Sequence, residues 1–553
     1  MRGALILAAL GVAAACGTGP TRVGGQPSWR KGGDDDRPPV TVSTGPIELR
    51  PLTPAVRAYN DPPRTPPPST VLGDAVVAEV ASLVGGSPAG APVADGRLYA
   101  AAGEIATIVP VEGVVPYPLV EFALQHHGII EPSPHLLVVW GPIDQPATLV
   151  EQLRPRLLEV LAEGSITRIG VGSARRGDGD VVVVALQASH VETGPIPRQL
   201  EVDGQLTLAG RILGVYQHPE VFVTRADGVV ERVALRAGGG GEIAADVRCA
   251  GRRGRHQVEV TASDRTGSTV LANFPIWCGE APPDRLTAAV TVDDAGPVTS
   301  ATDAEARMLE LVNRDRAAAN LPPLELDPRV ADVARAHSRE MRATGVVGHV
   351  SATTGTAADR LRVSNVRTGL VLENIARAYG VAEAEAGLMN SPGHRANLLS
   401  AAATHIGIGI ELGEEVSGRR ELFVTQVFIR VPPPVDLAVA QAAVRERLRA
   451  ARAFGDDGGL DRIATVYAAA LAAGTPPADA GRRASRDLDS VAARFSRVAS
   501  MVTAVTDLQA VDPQAIFGDT IMFTHVGVGV AQGEHPELGP GALHVVVLLG
   551  QKR

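Results

Sequence analysis

The chain has 553 residues, of which 45% are hydrophobic, 20% charged and 3% aromatic, with a formal net charge of −9. That length is too great for one hydrophobic core and, at roughly 150 residues per domain, implies three to four domains with cores built from Ala, Val, Leu and Ile. The negative balance lacks the basic footprint that a phosphate backbone attracts, which excludes nucleic acid as a partner.

At the start, Met1-Arg2 and the apolar run Ala4 to Ala15 have the form of a secretory signal over 1–15. The run is too short to span a bilayer. Cys16, after Ala13-Ala14-Ala15 and before Gly17, stands where bacterial lipoproteins carry a lipidated cysteine. Simple cleavage after Ala15 is the alternative, since Ala13 occupies the place where such signals usually have Leu. An anchor at Cys16 would make this a membrane-attached protein of the bacterial cell envelope. Export implies an oxidising compartment, so Cys249 and Cys278 are expected to form a disulfide, with two buried free thiols as the alternative. Residues 16–71, rich in Pro and Gly and ending in "PPRTPPPST", read as a semi-extended tether.

Residues 72–197 hold a helix-like block from Asp95, "DGRLYAAAGEIA", and a hairpin-like block from Thr167, "TRIGVGSARRGDGDVVVVALQ". His126, His127 and His135 in this stretch read as exposed loop residues. Over 198–281, short alternating runs, the turn dipeptide Asp227-Gly228 and the cysteine pair indicate an antiparallel β-sandwich of Ig-like type, with Trp277 in its core. A Pro/Gly/Thr-rich linker, 282–303, leads into 304–431. The final stretch, 432–553, again pairs a helix-like block, from Asp461, with a hairpin-like block, from Thr524.

Within 304–431, Met308, Leu311, Val312 and Ala319 form one apolar stripe of a helix. Asp327-Pro328 supply an N-cap and a first-turn proline for the next helix, whose apolar face carries Val330, Val333, Ala334, Met341 and, as a core histidine, His337. His349 follows the breaker Gly345 in "GHVS"; Glu373 lies in "LENIA", with Asn374 beside it fixing a turn. Ser391-Pro392 starts a helical turn in "MNSPGHRANLL" that carries His394. In "THIGIGIEL" the residues Ile406, Ile408 and Ile410 share one face of a strand, while Gly407 and Gly409 leave the other bare for close packing. "LFVTQVFI" completes a central strand in which Gln426 is a structural amide.

These five blocks, in this order, resemble the CAP superfamily of cysteine-rich secretory, antigen 5 and pathogenesis-related proteins, and most closely its bacterial extracellular branch. The resemblance implies an α-β-α sandwich over 304–431, with His349, Glu373 and His394 converging on one water-accessible cleft. "DPRVADVARAHS" from Asp327 and the hairpin from Thr404 are echoed, in pairs at comparable separations, in 72–197 and 432–553. The expected fold is therefore α+β and multi-domain, with one CAP unit, two divergent CAP-like units and one antiparallel β-sandwich. The bland alternative is that Ala-rich helices and Gly-interrupted hairpins recur in any αβ protein.

Two imidazoles and a carboxylate can take a divalent metal such as zinc with an open coordination position, form a hydrogen-bonded acid–base cluster, or merely bond the hairpin to the helices. Phe423 occupies the place of a histidine that eukaryotic members use, no second glutamate is evident, and Leu388 stands where bacterial relatives have Trp. Nucleophile elbows, HExxH, phosphate-cradling glycine loops and four-cysteine knuckles are absent from the sequence. The favoured expectation is a binding module at the cell surface for a small-molecule, lipid or cell-envelope ligand; relatives of this kind are associated with extracellular recognition, in some cases of sterols or fatty acids. A metal-assisted hydrolase with Glu373 as base, and a structural envelope scaffold, are the competing classes.

Overall fold

The computed structural model describes residues 21–22, 45–61, 67–85, 90–110, 115–162, 164–177, 179–236, 241–289, 298–416, 419–431, 434–518 and 522–553. The expected signal segment 1–15 and Cys16 lie outside them. By Cα proximity the chain divides into two compact units, 1–357 with 372–400 and 407–427, and 358–371 with 401–406 and 428–553. Helices and strands mix in both, as an α+β fold requires. Among the described residues no helix is long and apolar enough to cross a membrane.

In the first unit, one sheet sets Val93–Ala94, Arg168–Arg176, Gly179–Gln187 and His135–Trp140 side by side. The alternation of its strands divides the apolar residues between two faces. Val138, Val181 and Val183 pack with the helices Gly96–Ile108 and Tyr117–His126; Val139, Val182 and Val184 pack with Val71–Leu83 and Pro146–Ala162. Asp95 caps the helix Gly96–Ile108 by accepting from Arg97 N. The helix lies so close to the hairpin that a Cβ on Gly170 would fall 2.4 Å from Leu98 C, and one on Gly172 2.1 Å from Gly103 N.

The same local geometry recurs twice. The sheet Glu325–Leu326, His405–Val416, Arg419–Ile429 and Val371–Ala378 faces the helix Pro328–Thr344, capped by Asp327. Here a Cβ on Gly407 would lie 2.2 Å from Val330 C, and one on Gly409 2.1 Å from Arg335 N. In the second unit the sheet Gly455–Asp456, His525–His535, Gly539–Lys552 and Phe495–Val505 faces the helix Gly458–Ala472. There a Cβ on Gly527 would lie 2.4 Å from Leu460 C, and one on Gly529 2.1 Å from Ala464 C. The residue that caps this helix is Asp457. Asp461, with which the helix-like block was expected to begin, lies one turn inside the helix and accepts from Val528 N at 2.8 Å.

Residues 191–278 form a five-stranded sheet, containing Gln217–Thr224, Gly254–Asp264 and Gly267–Cys278, and a three-stranded sheet of Val191–Thr193, Gln205–Ile212 and Glu242–Arg248. Leu208, Ile243 and Val247 of one sheet share a core with Val221, Val260, Phe274 and Ile276 of the other. The Cys249–Cys278 disulfide joins the end of one sheet to the end of the other.

Three expectations need correction. Residues 45–61 are not a free tether: Ile47–Leu49 pairs with Leu286–Ala288, and Tyr59 is fully buried with its hydroxyl donating to Pro275 O at 2.7 Å. The pairing likewise gives the start of the expected linker 282–303 a fixed place. Two apolar anchors outweigh the local Pro-rich composition. His126 and His127 are buried at the end of the helix Tyr117–His126, where the ring Nε2 of His126 meets Thr53 O at 2.7 Å. Burial pushes the His127 imidazole down to about 4.

Candidate functional site

The helix Pro328–Thr344 ends at Gly345, whose φ of +69° supplies the left-handed C-cap. His337, buried in that helix, fixes the following loop through its Nε2 and Gly348 O, 2.9 Å apart. This places His349 against the strand Val371–Ala378, where its Nδ1–H donates to Glu373 Oε2 at 2.6 Å. The short helix Pro392–Leu398 brings in His394. It is held from behind by Arg316, whose guanidinium donates to Pro322 O, Leu398 O and Ser400 O. Arg316 is buried and Ala319 exposed, which corrects the predicted stripe of the first helix: the long side chain reaches helix-end carbonyls that need a donor.

The three side chains are brought together, but not in an open hollow. His349, Glu373 and His394 are 6%, 2% and 0% exposed. Burial, with the neighbouring His349 adding to it, pushes His394 down to about 3, so it is neutral in the folded protein. A network of amides tightens the floor. Asn397 Nδ2 donates to Glu373 O and Asn374 Oδ1, and Asn374 Nδ2 to His394 O and Gln426 Oε1. Gln426 Nε2 in turn donates to Glu385 Oε2 at 3.3 Å. Asn374 thus sits in a strand and ties three elements together, where a turn was expected. Burial raises Glu385 to about 8.

Ser391 does not cap its helix through its side chain. Its hydroxyl donates instead to Glu259 Oε2, and Gly393 N donates to Glu259 Oε1 at 2.9 Å. With that hydroxyl proton committed, Ser391 Oγ accepts from His394 Nδ1–H at 2.9 Å. Glu259 belongs to the β-sandwich strand Gly254–Asp264 and is fully buried, which raises its carboxyl to about 7. Sequence reasoning missed it, because "VEVTAS" alternates like a strand with Glu259 on its wet face.

Among the described residues no three or more His, Cys, Asp or Glu side chains are placed to hold a metal ion. Within the expected His349/Glu373/His394 set, Glu373 engages His349 Nδ1, while His394 turns its Nδ1 to Ser391. At the expected fourth position, the buried Phe423 ring lies under the Arg377 guanidinium, 5.7 Å from it, and Arg377 pairs with Glu421 at 2.6 Å.

The model of CAP, the cysteine-rich secretory protein family, matches residues 309–428. This segment is a CAP domain. The chain is 39% identical over 112 residues to the uncharacterised membrane protein YlbC of Bacillus subtilis, covering 20% of this chain and 32% of that one. It is 33% identical over 127 residues to the uncharacterised protein YkwD of the same organism, covering 22% and 49%. The chain therefore spans 32% and 49% of the length of these relatives. An extracellular protein with an SCP domain from Bacillus anthracis overlaps 49% of this chain and 70% of its own at 22% identity, with a TM-score of 0.23 that is too low to carry weight. In this domain the His349–Glu373 pair is joined by His394 and Ser391, with Glu259 supplied from outside the domain.

Proposed function

We propose that this is an exported, lipid-anchored bacterial envelope protein whose CAP domain recognises a small-molecule, lipid or cell-envelope ligand through the His349–Glu373 pair. The observation that carries this is a buried imidazole–carboxylate hydrogen bond held by separate elements, a costly arrangement for stability alone. Neighbouring neutral His394 and the amide floor supply further donors and acceptors. The anchor rests on the Cys16 sequence, and the similar YlbC is a membrane protein by name. We further propose that 72–197 and 432–553 are divergent copies of the CAP unit. The support is the shared strand order, the capping aspartate and the paired glycines against a helix.

A structural scaffold is the second reading, favoured by the near-complete burial of all three side chains. Thermal-shift titration of the full chain with fatty acids, phospholipids and envelope saccharides separates the two. A shift that disappears in Glu373→Gln supports recognition; equal responses in both proteins, or none, leave the scaffold. For the anchor, Cys16→Ala should move the protein out of the membrane fraction, and its retention there would refute lipidation.

A further inference from the structure

The His349 loop of the CAP domain is covered by the turn between the sandwich strands Gly254–Asp264 and Gly267–Cys278. Thr266 N and Oγ1 both donate to Asp264 Oδ1 at 2.7 Å, which fixes the turn. Its tip meets the His349 loop with a glycine on each side. A Cβ on Gly267, at φ +114°, would lie 3.0 Å from His349 Cβ; one on Gly348 would lie 2.8 Å from Thr266 Cβ and O. Val350 N donates to Thr266 O at 2.8 Å, a backbone bond of the kind a bound strand makes. Behind the tip, Glu259 accepts from Ser391 and Gly393, and Asn390 takes Arg255 and Asn273.

We infer that the β-sandwich is the resident occupant of the CAP cleft: its Asp264–Gly267 turn fills the mouth at His349 as a ligand would, and an outside ligand reaches the His349–Glu373 pair only when the turn withdraws. The regulatory part rests on the recognition reading above; the occupancy does not. The contact is made of small residues and exchangeable hydrogen bonds, each of which water replaces at little net loss. Removal of the turn uncovers a ring that is otherwise 6% exposed.

Diethyl pyrocarbonate acylation, read by mass spectrometry on the full chain, tests this, with exposed His218 as the internal standard. In Gly267→Val the added side chain collides with His349, and acylation of His349 should accelerate at least about tenfold over wild type, the factor for a turn closed roughly nine-tenths of the time. Equal rates in the two proteins would overturn the inference. Because valine at a positive φ strains the sandwich itself, Glu259→Ala provides a second measurement. Hydrogen exchange at the Val350 amide should speed up while the amides of Arg419–Ile429 stay protected; an unchanged Val350 amide also overturns it. Neither readout uses a ligand, so these results fail or hold independently of the thermal-shift titration. An opened cleft that still takes no ligand refutes recognition and leaves the occupancy standing.

Discussion

Alanine at Gly409 is a demanding test of how the CAP sheet and its helix are joined. The new Cβ would lie 2.1 Å from Arg335 N and 2.2 Å from Ala334 C, against 3.4–4 Å for ordinary contact. Strand and helix must part by roughly 1.3 Å, which forfeits contact along the whole seam. Neither obstructing atom belongs to a movable side chain, and Ser338 Oγ ties the two elements by donating to Gly409 O at 2.9 Å. The expected loss is about 3 kcal/mol, the upper end for overpacking. Gly103→Ala is the matched control: it lies inside the helix Gly96–Ile108 with nothing within 4 Å of its Cβ, and should gain about 0.5–1 kcal/mol. Hydrogen exchange in Pro328–Thr344 and in Gly96–Ile108 reads each local stability without requiring the whole chain to unfold in one step. A Gly409→Ala protein within about 0.5 kcal/mol of wild type would refute the close-approach reasoning.

His394, pushed down to about 3 in the folded state, takes its proton first in the unfolded chain, so its contribution is complete above pH 6.5 and lost as pH falls toward 3. His394→Gln should flatten the acid limb of a melting-temperature profile, and an unaltered limb would exclude His394 as its source. Glu385, raised to about 8, acts in the opposite sense: its contribution is complete below pH 4.5 and lost as pH rises through 8, at about 1.4 kcal/mol per unit. Glu385→Gln should therefore stabilise the protein at pH 9 relative to wild type and have little effect at pH 4, as pH-resolved calorimetry would record. Replacing Cys249 and Cys278 by Ser opens a bridge of sequence separation 29 and should cost about 3.5 kcal/mol, seen as faster amide exchange in Gly254–Asp264.

What was legible in the sequence is what local physics dictates. Asp327-Pro328 announces a helix start because only a short acceptor side chain satisfies the first amides, and Gly407 with Gly409 announces close approach because any side chain would strike the helix backbone. Cys249 and Cys278 pair as an oxidising compartment requires. The parts that stayed hidden depend on distant partners. Glu259 looks like an ordinary outward residue of an alternating strand until the sandwich docks on Ser391, 132 positions away. Tyr59 is concealed in a Pro-rich stretch, and Arg316 breaks the apolar stripe it completes. The shift from Asp461 to Asp457 shows a second limit: an Ala-rich helix offers several registers, and only contact with Gly527 and Gly529 selects one.

The same distant partners account for the chemistry of the cleft. A catalytic zinc site of the His₂Glu kind needs both imidazoles and the carboxylate aimed at one point. Here the carboxylate is bound by one imidazole, and the Nδ1 of the other is taken by a serine whose own proton is committed to Glu259. Glu259 therefore acts on His394 through Ser391, fixing which way the ring faces. An isolated CAP domain lacking Glu259 would leave Ser391 Oγ and Gly393 N without this acceptor, free to turn toward water or a ligand. It follows that the orientation of His394 and the coverage of His349 share one origin, the seat of the β-sandwich on the CAP domain. Any ligand that displaces the turn alters both histidines together.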